Sequence, residues 1–276
     1  MMQFMKIAIY IGKNGLETEE RIGGLMEELR TGGCTLYIIE GGSGLEQDTD
    51  MILSIGGDGT FLSASMLAAA RGIPVAGVNA GRLGFLSEYR PEDIARAVLS
   101  GDYAIENRTM LKAEVRTGNP DIDSWPYALN EITVHRSGAA MLGVDVMLDG
   151  VKLPTYWADG LLVSTGSGST AYSLSVGGPI VLPESRVLII SPIAPHNLNI
   201  RPLIVPDSSE IVLNMHSRDG KFVFTADNRT AEVPEDTDIR IAVAQFSLKR
   251  VRLNRSNFIN ALTEKLFWGE DMRNIK

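Results

Sequence analysis

Ile55-Gly56-Gly57-Asp58-Gly59-Thr60 sets an acid among glycines where a buried apolar run gives way to a helical pattern. Two adjacent glycines there remove side chains, permit positive φ, and let backbone amides approach an anion at the positive end of the following helix. Gly56, Gly57, Gly59 and Thr60 are therefore candidate phosphate contacts in a diphosphate-shaped pocket. Asp58 is out of place in it, because a carboxylate among such amides repels the ligand unless it has a chemical task or a metal intervenes. A strand-Gly-Gly-Asp-Gly turn alone is as often a tight structural turn as a ligand site, so its context decides.

Other groups are weaker. Gly166, Gly168 and Ala171 satisfy the G-x-G-x-x-A spacing of dehydrogenase nucleotide loops, but position 186, where a ribose-binding acid is expected, is arginine. No strand-helix-strand pattern surrounds that loop. His135, His196 and His216 are too scattered for a metal cluster, and no metal ligands are assigned. Arg201 is a candidate for holding a strand end or a phosphate, and Cys34, the single cysteine, can build neither an intramolecular disulfide nor a thiolate zinc site.

The elements that must position these residues change character along the chain. Lys6 to Ile11 is a compact apolar run, followed by a helical pattern from Glu17 to Arg30 with Ile22, Leu25, Met26 and Leu29 on one face and Gly32 and Gly33 closing it. Strand-like runs at Thr35 to Ile39, Met51 to Ile55 and Ile73 to Val78 alternate with helices from about Thr60 to Ala70 and from Pro91 to Leu99. Such alternation predicts a parallel, Rossmann-like sheet covered by helices. From about Thr109 the apolar residues recur every second position, as in Val144, Val146 and Leu148 before an Asp149-Gly150 turn, and in Ile211, Leu213 and Met215 before Arg218-Asp219-Gly220. The reading is thus an α/β domain over 1–108, a β-rich domain over 109–255, and a helical segment over 256–276, capped by Ser256 and docked on the body.

The 276 residues carry 26 Lys and Arg against 34 Asp and Glu, a formal charge of -8, with 44% apolar content. A chain of this kind buries a sizeable core, and its acidity provides no field for nucleic acid. The N-terminal apolar run is too short for a signal core, and no stretch approaches the ~20 apolar residues of a bilayer span. The expectation is a cytoplasmic protein with neither nucleic-acid nor membrane partners.

Five segments in order, GGDGTFL at 56–62, NAGRLGFL at 79–86, LNE at 129–131, ADGLLVSTGSGSTAYSLSVGGPI at 158–180 and PIAPHNLNIRPLIVP at 192–206, give the chain a resemblance to the NAD kinases over nearly its whole length. The first segment is shared with lipid and sphingoid-base kinases; the TAYSLS block after LGFL and NE narrows the resemblance. It implies transfer of the terminal phosphoryl of ATP, with a divalent metal such as Mg²⁺, to the 2′-hydroxyl of the adenosine ribose of NAD. Asp58 would be the general base, Gly59 would touch the dinucleotide, and Phe85 would lie against its adenine end. Asn130 and Glu131 would bond base and ribose, and Asp159 the nicotinamide carboxamide. Ser167, Thr170, Ala171, Tyr172 and Ser175 would line the bound base, Tyr172 by stacking. The family also implies a homo-oligomer, a dimer or tetramer. A lipid or sphingoid-base kinase and a non-catalytic NAD(P) sensor are the alternatives. The chain departs from the family pattern at Trp157, where many members carry a basic residue, and at Asp227-Asn228-Arg229, where many have Asp-Gly-Gln.

Overall fold

The computed structural model describes residues 5–12, 19–39, 44–81, 84–254 and 256–269. The expected helix start at Glu17, part of the closing segment, and Arg82 and Leu83 of the NAGRLGFL run lie outside the described residues. The chain forms two compact units, Met1–Asn107 with Leu248–Lys276, and Arg108–Ser247.

The first unit begins with β1 (Lys6–Ile11), α1 (Glu20–Thr31), β2 (Thr35–Ile39), β3 (Met51–Ile55), α2 (Asp58–Ala68), β4 (Val75–Val78), α3 (Pro91–Ser100) and β5 (Tyr103–Arg108). The second contains β6 (Leu111–Glu114), α4 (Pro120–Asp123), β7 (Tyr127–Ala128), β8 (Glu131–Arg136), β9 (Leu142–Leu148), β10 (Val151–Lys152), β11 (Tyr156–Ala158) and β12 (Gly160–Thr165). It continues with α5 (Tyr172–Ser175), β13 (Val187–Ile193), β14 (Leu203–Pro206), β15 (Ile211–Ser217), β16 (Lys221–Ala226), β17 (Arg229–Pro234) and β18 (Ile239–Val243). Then β19 (Leu248–Leu253) and α6 (Phe258–Leu266) complete the first unit.

In the first unit the strand order is β2-β1-β3-β4-β19-β5, with parallel pairing of β1 to both β2 and β3, and of β4 to both β3 and β19. The sheet residues Ile7, Ile9, Leu53, Ile55 and Val78 pack with Ile22, Leu25 and Leu29 of α1 and Ile94 and Val98 of α3. The chain leaves β1 in one direction and β3 in the other, so the ends of these strands flank the switch point where α/β sheets bind ligands. The Gly-Gly-Asp turn follows β3 there.

The second unit shares one core between two largely antiparallel sheets, β10-β9-β15-β18-β6-β7 and β14-β13-β12-β8-β16-β17. Val144, Val146, Leu213 and Ile241 from one sheet meet Ile132, Val134, Val163 and Phe224 from the other. Strand alternation then turns Glu131, Thr133 and His135 of β8 away from that core.

Several boundaries differ from the sequence reading. α2 starts at Asp58 rather than near Thr60, and β4 starts at Val75, after Pro74. The cap of α6 is Asn257, whose side chain accepts from the amides of Ile259 and Asn260, whereas Ser256 donates to Glu88. The Arg218-Asp219-Gly220 turn joins strands of different sheets. The expected second domain, 109–255, ends at Ser247, because β19 inserts between β4 and β5; its local pattern is that of any buried strand and does not reveal which sheet it joins. Among the described residues no helix is long and apolar enough to cross a membrane.

Gly77 of β4 fixes how closely the 84–87 loop approaches, since a Cβ there would lie 2.2 Å from the carbonyl oxygen of Leu86. The obstacle is backbone and has no rotamer escape. Gly77→Ala is expected to destabilise by ~1–3 kcal/mol, read from urea denaturation against wild type.

Candidate active site

β3 is fully buried and ends in Gly56, whose φ of 153° lies in the region that favours glycine. The Thr60 hydroxyl fills the notch this leaves: a Cβ on Gly56 would stand 2.4 Å from Thr60 Oγ1, and one on Gly12 would stand 2.0 Å from it. Thr60 thereby joins the ends of β1 and β3. Gly57 and Gly59 are exposed, and a Cβ on either would meet no other group within 4 Å. The outer side of the turn is open to a ligand.

Asp58, in the first turn of α2, points its carboxylate at the 84–87 loop. Oδ2 accepts from the Phe85 amide at 2.9 Å, and Oδ1 accepts from the amides of Leu86 and Ser87, each at 2.9 Å. Gly84 is needed for this approach, because a Cβ there would overlap Asp58 Oδ1 at 2.0 Å. The loop rests on a buried ion pair, in which Arg250 of β19 donates to Glu88 at 2.6 Å and also reaches Glu106 at 3.5 Å. Burial, the largest single influence, would raise the Glu88 carboxyl, but Arg250, Tyr89, Lys265 and Ser256 together outweigh it and hold it below the ordinary value.

The second unit repeats the device. Asp227, at the turn between β16 and β17 with φ 50°, accepts from the Leu129 and Asn130 amides at 2.8 Å and from Glu131 at 3.3 Å. Burial pushes its carboxyl up. Thr165, ending β12, donates through Oγ1 to Leu129 O at 2.7 Å and accepts from the Gly168 amide at 3.1 Å, tying the hydroxyl loop to the same segment. Gly168 passes so close to Asn130 that a Cβ would lie 2.2 Å from its carbonyl oxygen.

Glu131 is buried, its Oε2 has no hydrogen-bond partner, and its carboxyl is pushed up to about 8 by burial and then by Asp227. His135 stacks on Tyr172 at 5.7 Å between ring centroids with 12° between planes. Burial lowers His135, which favours neutral imidazole. Asp159 Oδ1 accepts from Arg136 Nε at 2.7 Å. Ser167 is buried with an unpartnered hydroxyl, Thr170 donates weakly to Ser167 O at 3.4 Å, Ala171 and Tyr172 are half-buried, and Ser175 is exposed.

The first unit thus brings together Gly56, Gly57, Asp58, Gly59, Thr60 and Phe85; the second gathers Asn130, Glu131 and the 167–172 loop, with Asp159 beside Arg136. Sequence reasoning gave Asp227 no part in holding the 129–131 segment, weighed His135 only for a metal cluster, and did not single out Arg136. Period-two alternation from Glu131 could have placed His135 on the same face as Glu131, whereas nothing local marks Asp227 as a clamp 97 residues from the Asn130 amide. The guanidinium of Arg229, at the third position of the Asp227-Asn228-Arg229 departure from the family pattern, donates to the carbonyls of Trp125 and Tyr127. Arg201 holds the carbonyls of Leu198 and Ile200, and β12 and β13 are antiparallel, which removes the dehydrogenase reading of 166–171.

A Gly-Gly-Asp turn on a parallel sheet and a hydroxyl-rich loop on antiparallel strands define a phosphotransferase of the Gly-Gly-Asp-Gly-Thr class. The chain matches the ATP-NAD kinase N-terminal domain over residues 38–101 and the ATP-NAD kinase C-terminal domain over residues 129–253. It is 38% identical over 275 residues to an NAD kinase of Flavobacterium psychrophilum, covering 98% of this chain and 94% of that one. An NAD kinase of Porphyromonas gingivalis is 39% identical over 290 residues, with 97% and 99% covered. The crystal structure of an NAD kinase from Archaeoglobus fulgidus in complex with ATP superposes with a TM-score of 0.77 at 27% identity, over 95% of this chain and 99% of that one. The fold also matches yeast NADH kinase complexed with NADH, with a TM-score of 0.84 at 23% identity, over 99% and 90% of the two chains. The chain belongs to the NAD kinase family and is a phosphotransferase.

Glu131 gives the fold a pH dependence. Its folded value of about 8 exceeds the ordinary 4.5, so native protein keeps a proton that unfolded chain releases. Its contribution is complete below the ordinary value and is lost as pH rises toward about 8. Glu131→Gln, which cannot ionise, is expected to escape this loss and to gain ~3–5 kcal/mol on the ligand-free wild type between pH 5 and pH 8 in paired urea denaturations.

Proposed function

We propose that the chain transfers the terminal phosphoryl of ATP to the 2′-hydroxyl of the adenosine ribose of NAD, with Asp58 as the general base. The observation that carries this reading is the seating of Asp58. A carboxylate offers about four lone-pair directions, two on each oxygen. Oδ1 spends two on the amides of Leu86 and Ser87, while Oδ2 spends one on Phe85 and keeps one for an alcohol proton. The three amides also fix the carboxylate against rotation, which is what alignment of a weak base requires.

In the transfer, the bond from the terminal phosphorus to the bridging oxygen of ATP breaks, and its electron pair leaves on ADP. The ribose oxygen forms the new bond to phosphorus and gives its proton to Asp58 Oδ2. Gly57 and Gly59 supply unobstructed backbone for the phosphates, in keeping with a reaction that depends on positioning and charge neutralisation. Among the described residues no cluster of three or more His, Cys, Asp or Glu stands ready for an ion. Mg²⁺ would enter with the ATP phosphates as part of the substrate, where it would neutralise charge.

Phe85 lies against the adenine, and Asn130 reads its edge. Glu131, with a free Oε2, meets the ribose hydroxyls, and Asp159 keeps one oxygen clear of Arg136 for the carboxamide. Ser167, Thr170, Ala171, Tyr172 and Ser175 border the base, with His135 backing the Tyr172 ring. In line with its resemblance, the enzyme works as a cytoplasmic homo-oligomer.

Asp58→Asn keeps one acceptor oxygen for the Leu86 and Ser87 amides but faces the Phe85 amide with a donor and loses the base, and is expected to keep the far-ultraviolet spectrum while turnover falls by about 10²–10⁴-fold. Wild-type protein offered NAD, diacylglycerol and sphingosine with Mg-ATP should phosphorylate only NAD. Undiminished turnover by Asp58→Asn sinks the base assignment, and binding of NAD without any NADP formed points to a sensor.

A further inference from the structure

Lys265, in the last turn of α6, is the least conventional cation in the first unit. Its side chain is 6% exposed, yet Nζ has no hydrogen-bond partner. The nearest carboxylate oxygen, Glu88 Oε2, is 3.7 Å away, beyond hydrogen-bond distance, and Glu88 already serves Arg250 at 2.6 Å and Ser256 at 2.9 Å. Nζ stands 4.8 Å above the Phe85 ring. An ammonium brings three donors, and burying it with all three unused is costly. Burial lowers Lys265, while Glu88 and then Asp58 oppose that and Arg250 adds to it; Glu264 on the same helix also favours the charge.

The placement singles out what the three donors are for. Phe85 takes its own position from Asp58, its backbone N–H donating to Oδ2, so the ammonium, the ring and the carboxylate belong to one cluster. On the proposed reading, in which Phe85 lies against the adenine, a cation over that ring stands at the adenosine end of the dinucleotide, where the new phosphate appears. A cavity of about 280 Å³ also borders Lys265, but Glu88, Asp93 and Glu264 line it against Arg90, and its acidity repels an anion.

Resting on the proposed reaction, we infer that Lys265 binds the phosphoryl group as it reaches the ribose and then holds the 2′-phosphate of the product. Its three donors take oxygens that exist at that place only once the phosphoryl has arrived. The enzyme would therefore distinguish NADP from NAD through Lys265.

The test compares wild type, Lys265→Met, Lys265→Gln and Lys265→Arg as full-length proteins, by titration calorimetry with NAD and with NADP and by steady-state turnover. Lys265→Met and Lys265→Gln are expected to weaken NADP about tenfold or more and NAD less than about twofold, with lower kcat. Lys265→Arg should restore most of the NADP preference. In wild type, raising salt should erode NADP affinity faster than NAD affinity, a readout that needs no variant. Equal weakening of both dinucleotides would reduce Lys265 to a support for Phe85 and overturn the inference. So would a fall in kcat with NADP affinity intact, which would mean that it acts only through Asp58, or a salt dependence identical for the two ligands. Wild-type turnover keeps the two levels apart: if wild type makes no NADP the proposed reaction fails, whereas a productive wild type with an unaltered Lys265→Met overturns this inference alone.

Discussion

The structure depends on a carboxylate that accepts several consecutive backbone amides. Asp58 takes those of residues 85–87, and Asp227 takes those of residues 129–131. Consecutive amides rarely point the same way, and a carboxylate that collects three of them fixes the path of the segment more tightly than packing alone. Each clamp holds a segment carrying a candidate ligand contact: Phe85 in one case, Asn130 and Glu131 in the other. The two differ in surroundings. Asp227 is driven toward its protonated form by burial, whereas Asp58 sits at the open mouth of a helix turn. Only the second lies beside outward-facing glycines, Gly57 and Gly59.

Glycine is the partner of this arrangement. Gly84 clears space for Asp58, Gly77 for the loop that Asp58 holds, and Gly168 for the carbonyl of Asn130. In all three the obstacle to a side chain is an atom of the clamp or of the clamped backbone. The glycines around the site therefore fall into two kinds: those that let the protein approach itself, and Gly57 and Gly59, which face outward and leave room for something else.

Much of this was legible in the sequence because it is local. The alternation that built the parallel sheet, the period-two strands and the Asp149-Gly150 hairpin, with both residues at positive φ, depend on neighbours a few positions apart. The Gly-Gly-Asp turn was visible for the same reason. Asp227, Arg229 and β19 were not, since each acts on residues about 100 or more positions away and its own neighbourhood looks ordinary. Lys265 was hidden differently. It falls where a helix ends with a favourable positive charge, so its type is accounted for without any task. Only its burial without a partner sets it apart.

The return of β19 to a place between β4 and β5 bears on how the protein is made. On the ribosome, β1 to β4 emerge first and can pair, but their sheet has a gap that stays open until β19 is synthesised. The intervening unit has its own core and is free to mature during that delay. Arg250, which neutralises Glu88, and Lys265 arrive with the final segment. A nascent polypeptide that still lacks β19 accordingly possesses the glycine turn and its aspartate without the ion pair on which the 84–87 loop rests, so that loop is secured late.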